Sequence, residues 1–128
     1  MIEVETLHHV SISVTDLTRA RQFYGEVLGL REIARPPFDC PGAWYQLGDR
    51  QLHLLVHPGT HTLRGTTAFE SREGHFGIRV RSYRRTLEHL KARGISYRDK
   101  PRNLTAWPQV YVTDPDGNVI EFNAELLD

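Results

Sequence analysis

The chain has 128 residues, a length that suits a single domain and is short for two independently folded ones. Its 16 acidic and 16 basic residues balance, and the arginines are scattered, so nothing indicates nucleic-acid binding. The single cysteine, Cys40, cannot form a disulfide within the chain. The sequence also shows neither a signal segment nor an apolar run of membrane-spanning length. We therefore expect a cytoplasmic protein that contacts neither nucleic acid nor membrane.

The first half of the chain predicts a strand, a helix and three further strands. Residues 7–14 are typical of a half-buried strand, because apolar side chains alternate there with His9 and two serines. Thr15 or Asp16 can cap the following helix, and Gly29 can end it. The remaining strands of this half are expected at residues 30–34, 42–47 and 51–56.

The second half repeats this order after a polar stretch, residues 59–73, which we interpret as a linker. A strand at residues 75–80 begins with His75, and Ser82 caps a helix that ends at Gly94. Further strands are expected at residues 95–99, 107–113 and 119–123. The pattern predicts one α+β domain of two modules, about residues 6–58 and 74–124, with the helices on one side of the sheet.

Aligning the two modules places four potential metal ligands at corresponding positions. His9 aligns with His75, and His53 aligns with Glu121. Strand alternation directs all four side chains away from the apolar face. A single histidine on a strand is more often solvated than a ligand, but four matching positions favour a shared site. Three imidazoles and one carboxylate suit zinc, nickel, manganese or iron(II), and the spacing does not choose among these metals.

Four motifs extend over nearly the whole chain: His9-Val10-Ser11-Ile12-Ser13-Val14-Thr15-Asp16-Leu17, Gly48-Asp49-Arg50-Gln51-Leu52-His53-Leu54, Gly74-His75-Phe76 and Asp114-Pro115-Asp116-Gly117-Asn118-Val119-Ile120-Glu121-Phe122. Together they resemble the vicinal oxygen chelate superfamily. This superfamily includes glyoxalase I, bleomycin- and fosfomycin-resistance proteins, methylmalonyl-CoA epimerase and extradiol dioxygenases. The resemblance implies two βαβββ modules that form a cupped mixed sheet around one divalent ion, often in a homodimer.

The resemblance assigns His9, His75 and Glu121 to the metal ligands of the family. His53 falls where glyoxalase I usually has a glutamate, so one candidate base is missing, and His53 either replaces that base or completes the coordination. The leading hypothesis is a metal-dependent lyase or isomerase resembling glyoxalase I. In such an enzyme the ion holds vicinal oxygens of a small substrate, an enediolate is stabilised, and Glu121 moves the proton.

Two alternatives stay open. Without His53, the other three residues form the two-histidine, one-carboxylate set that resembles the iron(II) site of extradiol dioxygenases. A drug-sequestering binding protein is the third hypothesis. The sequence leaves open the metal, the substrate, the use of a thiol cofactor, and whether each site lies within one chain or across a dimer interface.

Four further residues are expected on the same face as the ligands and are candidates for binding substrate: Arg79, Gln109, Tyr111 and Asn123. A guanidinium suits a substrate carboxylate or phosphate, and the other side chains offer hydrogen bonds. His8 is expected to point to the opposite face from the cluster.

Overall fold

The computed structural model describes residues 1–61 and 72–128. The chain divides into two compact units, Met1–His61 and Thr62–Asp128. Most of the predicted linker, residues 59–73, lies outside the described residues. Each unit contains one four-stranded sheet.

The first unit contains a sheet in the order β1-β4-β3-β2. Strands β1 and β4 are parallel, and the other neighbours are antiparallel. Its elements in chain order are β1 (His9–Ser13), α1 (Leu17–Arg21), a π-helical segment (Gln22–Val27), β2 (Arg31–Ile33), β3 (Gly42–Leu47) and β4 (Arg50–Leu55).

The second unit has the equivalent order, β5-β8-β7-β6, again with the first pair parallel. Its elements are β5 (His75–Val80), α2 (Tyr83–Ala92), β6 (Arg98–Lys100), β7 (Gln109–Thr113) and β8 (Val119–Ala124). The predicted α+β class with two βαβββ modules is therefore confirmed.

The predicted helix caps are present in both units. The Asp16 side chain accepts a hydrogen bond from the backbone N–H of Arg19 at 3.0 Å, and Ser82 Oγ accepts one from Arg85 N–H at 3.1 Å. Each satisfies a donor that the first helical turn leaves unpaired. Gly94 ends α2 with φ of 67°, a conformation that favours glycine.

Several elements differ from the predicted boundaries: β1 and β7 begin two residues later than predicted, and two further differences have a clear physical cause. The helix after Asp16 continues as a π-helix, in which Leu28 N–H donates to Phe23 O at 2.9 Å, because apolar residues spaced by three and four do not distinguish the two helix types. The strand expected at residues 95–99 begins only at Arg98. Ile95 N–H donates to Leu90 O at 2.9 Å. This hydrogen bond belongs to the C-terminal cap of α2, so Ile95 does not pair in the sheet.

Apolar side chains form the core on the helix side of each sheet. In the first unit the Tyr24 and Tyr45 rings lie 6.1 Å apart, so this face of β3 contacts the helical segment and the neighbouring Trp44 takes the opposite face. In the second unit the Tyr83 hydroxyl of α2 donates to Gln109 O of β7 at 3.2 Å. No helix within the described residues is long and apolar enough to cross a membrane.

Candidate metal centre

The parallel ladder between β1 and β4 brings the two predicted histidine ligands of the first unit together. His9 pairs with Gln51, and His53 follows two residues later on the same face of β4. The two rings are stacked, with centroids 4.2 Å apart and an angle of 17° between their planes. On the other side, Trp44 is the β3 partner of His53, and their rings stack at 3.9 Å and 4°. The His53 ring therefore lies between His9 and Trp44.

His53 is held as a neutral imidazole. Burial, followed by the charges of His9, His8 and Arg35, lowers the pKa of His53 to about 4. Its Nε2 lies 2.8 Å from Oε1 of Gln51. An amide oxygen only accepts hydrogen bonds, so Nε2–H donates and Nδ1 carries the lone pair in this arrangement. A neutral ring with a lone pair is the form that binds a metal ion.

His75 and Glu121 form the corresponding pair in the second unit. His75 Nδ1–H donates to the backbone carbonyl of Glu73 at 2.8 Å, which fixes the ring orientation. His75 Nε2 then lies 3.2 Å from Oε2 of Glu121. With Nδ1 already donating, a neutral ring would turn a lone pair toward this oxygen. Two lone pairs would then face each other, and a proton or a metal ion between the two atoms would remove this repulsion.

Both oxygens of Glu121 have protein hydrogen-bond donors. The Tyr111 hydroxyl donates to Oε2 at 3.0 Å, and the Asn123 amide donates to Oε1 at 2.8 Å. Only 7% of Glu121 is exposed. Such donors are what a buried carboxylate needs, and they also fix the plane of the group.

The two pairs occupy the same positions in their ladders. His9 pairs with Gln51 and His75 pairs with Val119, and in each case the second candidate ligand follows two residues later. The neighbouring antiparallel strand supplies an aromatic partner both times, Trp44 to His53 and Tyr111 to Glu121. Within residues 1–61 and 72–128 there is no group of three or more His, Cys, Asp or Glu residues that could hold a metal ion, so the structure brings the predicted ligands together only as two pairs.

The predicted substrate residues have different surroundings. Arg79 is exposed, and its Cζ lies 5.6 Å from the ring centroid of Trp107. Gln109 is buried and pairs in the ladder with Asn123. Tyr111 and Asn123 direct their polar groups at Glu121, so in this structure both support the carboxylate.

Three neighbours of the histidines were not predicted to lie there. His8 Nδ1 is 2.9 Å from His9 Nδ1, because β1 begins only at His9 and the alternation does not extend back to His8. Gln51 and Trp44 both contact His53. Leu47 pairs with Arg50 across the two-residue Gly48-Asp49 turn, and this register places Trp44 opposite His53. The position of the turn in the sequence could therefore have predicted the contact between Trp44 and His53.

A family model described as the Glyoxalase/Bleomycin resistance protein/Dioxygenase superfamily matches residues 6–122. The chain belongs to this superfamily. Its members generally bind a divalent metal ion and small-molecule substrates, and they often form dimers.

Relatives within the superfamily have different activities. The chain is 29% identical to the trivalent organoarsenical cleaving enzyme of Bacillus sp. (strain MD1), over 89% of this chain and 70% of the relative. It is 24% identical to the metallothiol transferase FosB of Staphylococcus epidermidis, over 98% and 86% of the two chains. The crystal structure of lactoylglutathione lyase from Agrobacterium tumefaciens is similar with a TM-score of 0.72 and 20% identity, covering 94% of each chain. That structural likeness shows the fold alone.

Proposed function

We propose that the protein is a metal-dependent lyase or isomerase of the glyoxalase I kind, in which His9, His53, His75 and Glu121 bind one divalent ion. The observation that carries this proposal is the identical ladder position of the two pairs, His9 with His53 and His75 with Glu121. Two copies of one backbone arrangement, each presenting two candidate ligands, are what a site built from a repeated module requires.

The donor chemistry fits a divalent ion. His53 is neutral at pH 7, and the carbonyl of Glu73 accepts from Nδ1 of His75, so that Nε2 is the nitrogen directed at Glu121 and at an ion bound beside it. One carboxylate and three imidazoles suit zinc, nickel, manganese or iron(II). When bound, such an ion supplies Lewis acidity that polarises a carbonyl of the substrate.

Glu121 is the residue that we assign to proton transfer. An ionised carboxylate can accept a proton from carbon, and Glu121 is the only carboxylate among the four residues. We therefore assign His53 to the ligand set. Tyr111 and Asn123 fix the orientation of the Glu121 carboxylate through their hydrogen bonds. We assign to this carboxylate the transfer of a proton at the carbon beside the polarised carbonyl.

One observation favours a second candidate, an iron(II) dioxygenase of the extradiol type. His53 already has partners for its ring and for Nε2, namely His9, Trp44 and Gln51. A site that leaves His53 outside would consist of His9, His75 and Glu121, the set typical of non-haem iron oxygenases.

Several further features stay predictions. The protein is proposed to act on a small molecule, with or without a thiol cofactor. A homodimer and a cytoplasmic location are also predicted, and each site is built either within one chain or across the dimer interface.

Turnover of hemithioacetals in deuterated water tests the proposal. Protein loaded separately with zinc, nickel and manganese is mixed with 2-oxoaldehydes and small thiols, and NMR follows the product. We expect a 2-hydroxythioester that carries solvent deuterium on the carbon beside its carbonyl. Absence of turnover with all three metals, together with oxygen uptake by the iron(II) protein in the presence of a catechol, would favour the dioxygenase instead.

A further inference from the structure

Arg35 lies in the first unit without a carboxylate partner among the described residues. Its guanidinium lies over the Phe38 ring, with the centroid 4.9 Å from Cζ, and Nη2 donates to Cys40 Sγ at 3.7 Å. Glu32, on β2, is paired with Arg21 at 2.9 Å. A guanidinium offers five N–H donors, and a single sulfur is a weak acceptor for them. Arg35 is therefore a cation with most of its donor capacity unused.

The guanidinium of Arg35 packs against the backbone of β3 at Gly42. A Cβ atom at Gly42 would clash first with the backbone oxygen of Leu54 and would also lie 2.7 Å from Cζ and Nε of Arg35, so glycine at this position leaves the space that the Arg35 side chain fills. Arg35 Nε is buried and has no hydrogen-bond partner within the described residues. A buried donor left unpaired has a free-energy cost, which a bound acceptor would remove.

Aromatic rings connect Arg35 with the histidine ligands. The Phe38 and Trp44 rings lie 6.0 Å apart, and Trp44 stacks on His53, which in turn stacks on His9. Phe38 is 53% exposed, so its ring is available to a ligand.

We propose that Arg35, Phe38 and Trp44 form a subsite for the planar, anionic end of the substrate. The carboxylate of an aromatic or unsaturated acid pairs with the guanidinium, and the plane of the molecule packs on the two rings. The proposal rests on the proposed function in one respect, that His9 and His53 bind the ion that holds the vicinal oxygens of the same substrate. The substrate would then be a planar carboxylic acid whose vicinal oxygens lie at the end of the molecule opposite the carboxylate.

Two matched ligands test this subsite by calorimetry. 3,4-Dihydroxybenzoate carries vicinal oxygens and a carboxylate, whereas 3,4-dihydroxybenzamide is neutral and otherwise similar. We expect zinc-loaded wild-type protein to bind the benzoate about ten- to a hundredfold more tightly than the amide, as for a charge-assisted hydrogen bond. Arg35→Gln should abolish this preference and leave the affinity for the amide unchanged. Arg35→Lys should retain part of the preference.

Arg31→Gln is the matched control, because Arg31 is an exposed arginine on β2 and should leave the preference intact. Circular dichroism and the zinc content of each variant establish that it is folded and loaded. An undiminished preference in folded, zinc-loaded Arg35→Gln would overturn the subsite. If the wild type binds no metal, the proposed function fails separately, and benzoate is titrated into metal-free protein. Benzoate binding that is lost in Arg35→Gln would then still support the subsite, and binding independent of Arg35 would overturn it.

Discussion

His53 and Glu121 occupy equivalent ladder positions in the two units but have different surroundings. His53 is neutral and stacked between two rings, whereas Glu121 is buried and receives hydrogen bonds from Tyr111 and Asn123. The partner on the neighbouring strand matches each role, since Trp44 offers a flat apolar surface and Tyr111 offers a hydroxyl. In the proposed site the first unit contributes two imidazoles, and the second contributes one imidazole and the carboxylate.

Glu121→Gln should keep the fold and lose the function. The amide preserves the shape of the side chain but removes the charge, so we expect metal affinity to fall about a hundredfold or more. Turnover should fall by about 10² to 10⁴, the range for a lost general base. Competition with a chromophoric chelator and the turnover assay measure these effects. Glu125→Gln, at an exposed position, is the control, and retained activity in Glu121→Gln would refute the assigned role.

His53→Gln should be milder than Glu121→Gln. If His53 completes the ligand set, metal affinity should fall by roughly tenfold, and the loaded variant should still turn over substrate. Metal titration followed by the assay at saturating metal separates the two effects. Loss of turnover at full metal occupancy would identify His53 as the base, while unchanged metal affinity would place it outside the site and favour the dioxygenase.

At the residue level the matching ladder positions of the four candidate ligands could be predicted from the sequence, because alternation and the repeat are both local patterns. The neighbours of these ligands were harder to predict. The Arg35 guanidinium packs against Gly42, seven residues later, and lies over the Phe38 ring, and no period in the sequence encodes these contacts. Gln51 and His53 lie two residues apart on the same strand, but the hydrogen bond between their side chains depends on rotamers that the sequence does not specify.

At the level of elements, α2 is tied to its sheet by one buried hydroxyl. Tyr83 is buried, and its hydroxyl donates to Gln109 O at 3.2 Å. Burial, followed by the charges of Asp99 and Tyr97, raises the pKa of Tyr83 to about 12. A raised pKa means that the folded state favours the neutral phenol. Its stabilising contribution is present below pH 10 and is lost as the pH rises toward 12.

Tyr83→Phe should therefore lower stability at pH 7 and flatten its alkaline dependence. We expect the free energy of unfolding to fall by about 1 kcal/mol from the lost hydrogen bond. Between pH 10 and pH 12 the variant should lose less stability than the wild type, because it lacks the phenol that must ionise. Urea denaturation at several pH values measures both effects. An alkaline loss in the variant as large as that of the wild type would contradict the prediction.

The order of elements could be predicted well, since caps, stop glycines and strand alternation each leave a short signal. Asp16, Ser82 and Gly94 act as expected. The π-helical segment Gln22–Val27 could not be predicted, because its side-chain spacing is compatible with an α-helix. The late start of β6 has a similar cause, since Ile95 is apolar enough for a strand but its N–H closes α2.

At the level of the whole molecule, the two units share one strand order, and the superfamily match spans residues 6–122. The repeat explains why donors come in pairs. Local patterns specify each pair, but no periodicity in the sequence encodes whether the two pairs share one ion. The proposed site therefore predicts one ion per chain, whereas two pairs that bind separately would predict two.

Metal content per chain is the most direct test of a site shared by both pairs. The untagged protein is purified without chelator, saturated with zinc, nickel or manganese, freed of excess metal, and analysed for elements. We expect one ion per chain, and near-total loss of that ion in His75→Gln even though His9 and His53 are intact. Two ions per chain would mean that each pair binds separately. No bound ion in the saturated protein would contradict the metal site and leave a metal-free binding protein as the better interpretation.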